Sequence, residues 1–146
     1  MSRILHQDPN SQHGFYQIEV RHRWMRITVA EGINIELVTK YQGESMAAIN
    51  QLQGQPWGIH LLIQGDALMT PDATEKLKAL IRTRSALGFC GAALQLVDVN
   101  AVSIVRAYWG DIYAESGMPY VFCQSEDEAQ QWLWQRLESC DRLLPR

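Results

Sequence analysis

No stretch of this chain approaches the roughly 20 apolar residues that cross a bilayer, so no integral membrane segment is expected. Basic charge is not in excess either: 13 Lys and Arg stand against 16 Asp and Glu, a net charge of -3. Nucleic-acid and membrane-surface proteins concentrate Lys and Arg, so this balance argues against both roles. The opening Met1-Ser2-Arg3-Ile4-Leu5-His6-Gln7 lacks the apolar core and cleavage site of a signal peptide. Only three cysteines occur, Cys90, Cys123 and Cys140, with no CxxC pair. That number and spacing suit reduced thiols in a cytoplasmic protein, with a single inter-element disulfide as the alternative.

Catalytic signatures are also missing. The chain has no Gly-x-Ser-x-Gly elbow, no phosphate-binding Walker loop and no Gly-x-Gly-x-x-Gly fingerprint. Its histidines, His6, His13, His22 and His60, lack the spacing of convergent metal ligands. His60 falls inside an apolar run and reads as a hydrogen-bonded core or rim residue, and His22 reads as a solvated turn residue. Cys90 and Cys123 sit among apolar residues and read as small buried side chains. No enzyme activity, cofactor or metal is implied.

What is present is an ordinary globular composition, 47% hydrophobic and 20% charged, in 146 residues, enough for one domain with a real core. Residues 1–13 are polar and without period, and read as a flexible tail before a single domain at 14–142. Tyr16, Ile18 and Val20 alternate with Gln17, Glu19 and Arg21, and Met25, Ile27 and Val29 repeat the pattern. Period two joined by the short His22-Arg23 link predicts an antiparallel hairpin. Asn34 then caps a helix running to about Leu52 with Gly43 inside it.

The stretch Pro56-Trp57-Gly58-Ile59-His60-Leu61-Leu62-Ile63 is apolar on both faces, the mark of a central strand covered on either side. A polar Gln64-Gly65-Asp66 loop follows, and Thr70 and Pro71 open a helix to about Leu87. Cys90 to Val97 repeats the central-strand pattern. Asn100 caps a helix from Ala101 to about Ser116, and Tyr120 to Cys123 forms a last short strand. Ser125-Glu126-Asp127-Glu128 is a capping box for the final helix, which buries Ala129, Trp132, Leu133 and Leu137. The order β-β-α-β-α-β-α-β-α predicts an α/β fold: a mostly parallel, mixed five-stranded sheet with an antiparallel N-terminal hairpin and helices on both faces.

Several residues carry a family likeness from Gly14 to Leu137. They are Gly14-Phe15-Tyr16-Gln17-Ile18, Gly32-Ile33-Asn34, Pro56-Trp57 entering the central strand, Gly65 through Pro71 after it, and Tyr120-Val121-Phe122 with Ser125 to Trp132. In this the chain resembles the STAS domains, founded on bacterial anti-sigma-factor antagonists, and more closely their SpoIIAA-like branch. That branch in turn resembles the CRAL-TRIO lipid carriers. The resemblance implies a cytoplasmic regulatory or binding module acting through a protein partner. The antagonists carry a phosphorylatable serine at the start of the helix after the central strand. Here the place reads Asp66-Ala67-Leu68-Met69-Thr70-Pro71, so the phospho-serine switch does not carry over. Thr70 is the nearest hydroxyl, and a phosphate there would meet a helix N-terminus. The simpler reading makes Thr70 a cap.

Loops at the carboxyl ends of parallel strands converge on one edge, which brings together Asn34, Gln64, Asp66, Thr70, Asp98 and Asn100 as a candidate ligand or partner site. The same residues also read as caps and turn formers. A hydrolase or transferase using Asp66 or Asp98 would need a cleft around a carboxylate with a raised pKa. Trp109 and Tyr113 widen the apolar face of their helix. They line either a self-association surface (a homodimer) or an apolar pocket, or they close the core. Trp134 lies off the buried stripe of the last helix. The leading expectation is a non-enzymatic binding module acting through a partner protein or a small ligand near the Gln64 to Thr70 loop. The alternative is a carrier of a small apolar or lipid-like ligand, which needs a sizeable pocket.

Overall fold

The computed structural model describes residues 3–6 and 14–143. Strands are β1 (Arg3–His6), β2 (Phe15–Arg21), β3 (Trp24–Ala30), β4 (Trp57–Gly65), β5 (Phe89–Val99) and β6 (Tyr120–Cys123). Helices are α1 (Ile35–Glu44), α2 (Met46–Leu52), α3 (Pro71–Ser85), α4 (Val102–Glu115) and α5 (Glu126–Leu143). The strands lie in one sheet in sequence order, β1-β2-β3-β4-β5-β6. The first three pair antiparallel and the rest pair parallel.

The mixed five-stranded sheet expected from the sequence is β2 to β6. A sixth strand is a correction: Arg3–His6, assigned to the tail, pairs with β2, Ile4 opposite Ile18. Four residues are too few for a period to register, and this order comes from backbone pairing. The rest of the expected tail, 1–2 and 7–13, lies outside the described residues.

Strand order explains the layers. From β3 to β6 each crossover steps one place in the same direction. Because such crossovers are right-handed, α1 to α4 all land on one face. There Ile27, Leu61, Ile63 and Leu94 from the sheet pack with Ile49, Trp109 and Ile112. The other face receives α5 alone, where Ala129, Leu133 and Leu137 meet Trp24, Ala93 and Cys123. Covered on both faces, β4 is buried from Trp57 through Ile63. Gly58 lets α5 lie close to the sheet: a Cβ there would stand 2.8 Å from Leu133 Cδ2 and 3.0 Å from the Gly91 carbonyl oxygen.

The helix expected to run from Asn34 to Leu52 is divided at Ser45. Gly43 does not make room for a close neighbour, since a Cβ there would meet nothing within 4 Å. Ser45 is fully buried, donates from its hydroxyl to the Tyr41 carbonyl at 2.5 Å, and accepts a hydrogen bond from Arg84 of α3. Arg84, itself buried, also donates to the Gln42 carbonyl at 3.2 Å and lies over the Tyr41 ring. A hydroxyl bonded back to its own helix and a guanidinium seated on the last carbonyls of α1 end that helix.

Candidate functional site

The carboxyl edge of the parallel strands is held by short polar links. Backbone bonds join Ile33 N to the Leu68 carbonyl at 2.9 Å and Thr70 N to the Ile33 carbonyl at 3.1 Å. These stitch the β3–α1 loop to the β4–α3 loop. The β5–α4 loop joins them through Asn100, whose backbone N–H bonds the Gly65 carbonyl at 3.3 Å and whose Nδ2 donates to Asp66 Oδ1 at 2.9 Å. Beneath, Trp109 Nε1 donates to the Ala67 carbonyl at 2.7 Å. Tyr108 bridges by its hydroxyl to Thr74 and to Met69 N. Three turns leave their strands with positive φ: Glu31 (64°), Gly65 (62°) and Asp98 (52°). The Glu31 carboxylate lies over Gly65, whose left-handed φ favours glycine.

The sequence-nominated residues separate into distinct roles. Asn34 is a true cap, its Oδ1 accepting from Leu37 N at 2.9 Å. Thr70 occupies the cap position of α3 but makes no cap bond. Its hydroxyl donates to Asp72 Oδ1 at 2.6 Å, and that same oxygen accepts from Ala73 N at 2.8 Å. The Thr70 hydrogen bond, with help from Ala73 N–H, holds the Asp72 carboxyl below its usual range. Asn100 is not a cap. Ala101 takes that position, and the Asn100 amide is drawn to Asp66 instead.

Gln64 alternates along β4 with the buried Ile63 and so turns to the α5 face of the sheet, away from Thr70 and Trp109. Asp66 and Asp98 are both exposed at the rim, with no cleft to dry either one for acid–base work.

Trp109 and Tyr113 are 2% and 3% exposed, which removes the self-association surface proposed for them. With α1 to α4 gathered on one side, the wide apolar face of α4 is spent on the sheet, on α3 and on the β4–α3 loop. The two rings help line an apolar cavity of about 50 Å³ between sheet and helices, with Tyr16, Leu37, Tyr41 and Met69. Trp134 is exposed as expected, 43%, and packs edge-on against Trp24 and beside His22.

The opposite face holds a polar cluster under the start of α5. His60 is fully buried, with Nε2 2.9 Å from Gln95 Oε1. Burial lowers its pKa below the usual 6.5, and Arg26 and Arg21 add to this against the Gln95 hydrogen bond and Glu126. Glu126 accepts from Arg26 Nε at 3.0 Å and Arg21 Nη1 at 3.1 Å, which ties α5 to β3 and β2.

With the geometry in view, the architecture has a known counterpart. A crystal structure of an uncharacterized protein of the DUF3478 family with a SpoIIAA-like fold, from Shewanella loihica PV-4, matches at a TM-score of 0.58. It is 14% identical and aligns over 88% of this chain and 99% of its own. The fold is SpoIIAA-like. No family model matches the sequence, and no curated protein matches it.

Within this SpoIIAA-like sheet the unreversed strand order has a consequence for the site. Clefts at the carboxyl edge arise where successive crossovers diverge to opposite sides, and here none diverge between β3 and β6. The edge is therefore a filled rim, not a crevice. Sequence reasoning missed what covers that rim. Ile35, Leu68, Val102 and Ile104 are exposed, at 37%, 37%, 52% and 62%. Each follows a strand end by only a few residues, a position that becomes visible as a shared surface only once the strands are known to be parallel. Among the described residues no helix is long and apolar enough to cross a membrane.

Proposed function

We propose that this chain is a non-enzymatic, cytoplasmic binding module that docks a protein partner on the carboxyl rim of its sheet. The observation that carries the reading is the rim's composition. Exposed Ile35, Leu68 and Val102 stand among exposed Glu31, Glu36, Asp66, Asp72 and Asp98, and segments 30–38, 64–74 and 97–104 contain no Lys or Arg. Exposed aliphatics at neighbouring loop and helix starts favour contact with another surface. The excess of acidic residues around them favours a partner that is apolar with a basic border.

The rim is also stiff, because the Asp66–Asn100 and Ile33–Leu68 bonds fix its loops before a partner arrives, which lowers the ordering cost of binding. The serine of the antagonists' switch is missing at this place, where the nearest hydroxyl, that of Thr70, donates to Asp72.

A carrier role is the weaker reading. Lipid-sized and drug-sized ligands need roughly 300 to 1,000 Å³, against about 50 Å³ in the apolar cavity lined by Trp109 and Tyr113.

The test is affinity capture with three forms: the unmodified protein, Asp66→Lys with Leu68→Asp on the rim, and Gln53→Lys near the opposite edge. A partner retained by the first and third but lost by the second supports the rim, and its retention should weaken as salt rises. Equal capture by all three forms overturns it. Native mass spectra of the unmodified protein separate the carrier alternative, which demands extra mass that leaves on denaturation.

A further inference from the structure

Cys90 opens β5 and Cys140 lies near the end of α5, 50 residues apart in the chain. The packing of α5 brings them together. Arg136, one helical turn before Cys140, donates from Nε to the Cys90 carbonyl at 2.8 Å, and its side chain and that of Trp132 rest on Gly91. The next turn therefore passes over Cys90, which sets the two thiols on one side of α5. Both line one open groove with Arg136, Met118 and Pro119, and both are half-buried, so a small solute reaches them. Cys123, by contrast, is buried beneath α5 with Leu133 and Ala129.

We propose that Cys90 and Cys140 are a dithiol site that a hydroperoxide converts into an intramolecular disulfide, fastening the last helix to the sheet. The balance is simple. One thiol of the pair, as its thiolate, attacks the peroxide oxygen, the O–O bond breaks, and a sulfenic acid forms with release of water or an alcohol once the thiol's proton is taken up. The other sulfur then attacks the sulfenic sulfur, the S–O bond breaks, and its oxygen leaves as water with that thiol's proton. Two electrons pass from the thiol pair to the peroxide. Burial, and then the hydrogen bond that the Cys90 thiol gives to Cys140, push it up to about 12. A link closing so long a segment restrains the unfolded chain and raises the melting temperature.

The experiment uses the full chain treated with hydrogen peroxide, quenched, alkylated under denaturing conditions and mapped as peptides. Alkylation is expected to fall from three thiols to one, with a Cys90–Cys140 linked peptide and a higher melting temperature that thiol reduction reverses. The Cys123→Ser protein should react in the same way, whereas Cys140→Ser should form no intramolecular link. Three alkylatable thiols after prolonged excess peroxide overturn the proposal. So does a link through Cys123 or between two chains.

Discussion

The indole of Trp109 donates a 2.7 Å hydrogen bond to the carbonyl of Ala67, and both residues are buried. One side chain of α4 thereby satisfies a backbone acceptor in the loop that leaves the central strand. Trp109→Phe keeps an aromatic ring but strands that acceptor. The loss is expected to be about 1 to 3 kcal/mol, the cost of an unpaired buried polar group. Urea unfolding should show a lower midpoint at unchanged slope, and hydrogen exchange should quicken at Leu68 and Met69.

Two cap positions that look alike in sequence are expected to behave differently. Asn34→Ala removes a real bond to Leu37 N and should cost about 1 kcal/mol. Thr70→Val removes only an exposed contact with Asp72 and should fall within about 0.5 kcal/mol of the parent. Thermal unfolding of both variants checks the ranking. A Thr70 loss as large as the Asn34 loss would contradict this division between a true cap and a nominal one.

Gly58→Ala places a methyl against Leu133 and the Gly91 carbonyl. Either α5 shifts or the strand does, and overpacking of this kind costs roughly 1 to 3 kcal/mol. Leu133→Ala in the same chain makes room for the methyl. A double-variant cycle should therefore show the two losses to be less than additive, and strict additivity would separate the sites.

His60 sets a pH dependence. Its pKa in the folded protein is depressed, so between that value and 6.5 the unfolded chain binds more protons. Its full contribution to stability is therefore present above about 6.5 and is lost as pH falls below it. Denaturation midpoints should decline through that window. In His60→Gln the decline should be shallower, and an unchanged profile would assign it to other groups.

Much of this structure was legible in the residues, because period and apolar continuity follow from how strands and helices bury their faces. The β2–β3 hairpin, the doubly covered β4 and the amphipathic α5 all showed in that way. Features set by distant partners did not show. The break at Ser45 depends on Arg84, and the route of Asn100 to Asp66 instead of a helix cap depends on two strands ending side by side. Trp109 looked available for a surface because a single helix cannot reveal that three neighbours share its side of the sheet. The candidate site was half visible for the same reason. Its caps and aspartates follow from local rules, whereas the exposed Ile35, Leu68 and Val102 form a surface only after the topology brings them to one rim.

Because four helices gather on one face, the other waits for α5, an 18-residue segment that the ribosome makes after every strand. During synthesis the sheet can pair and take its first helical layer while Trp24, Ala93 and Cys123 remain bare. The nascent chain thus carries an apolar wall toward solvent until α5 emerges. A chain that stalls or is cut before Glu126 leaves that wall uncovered.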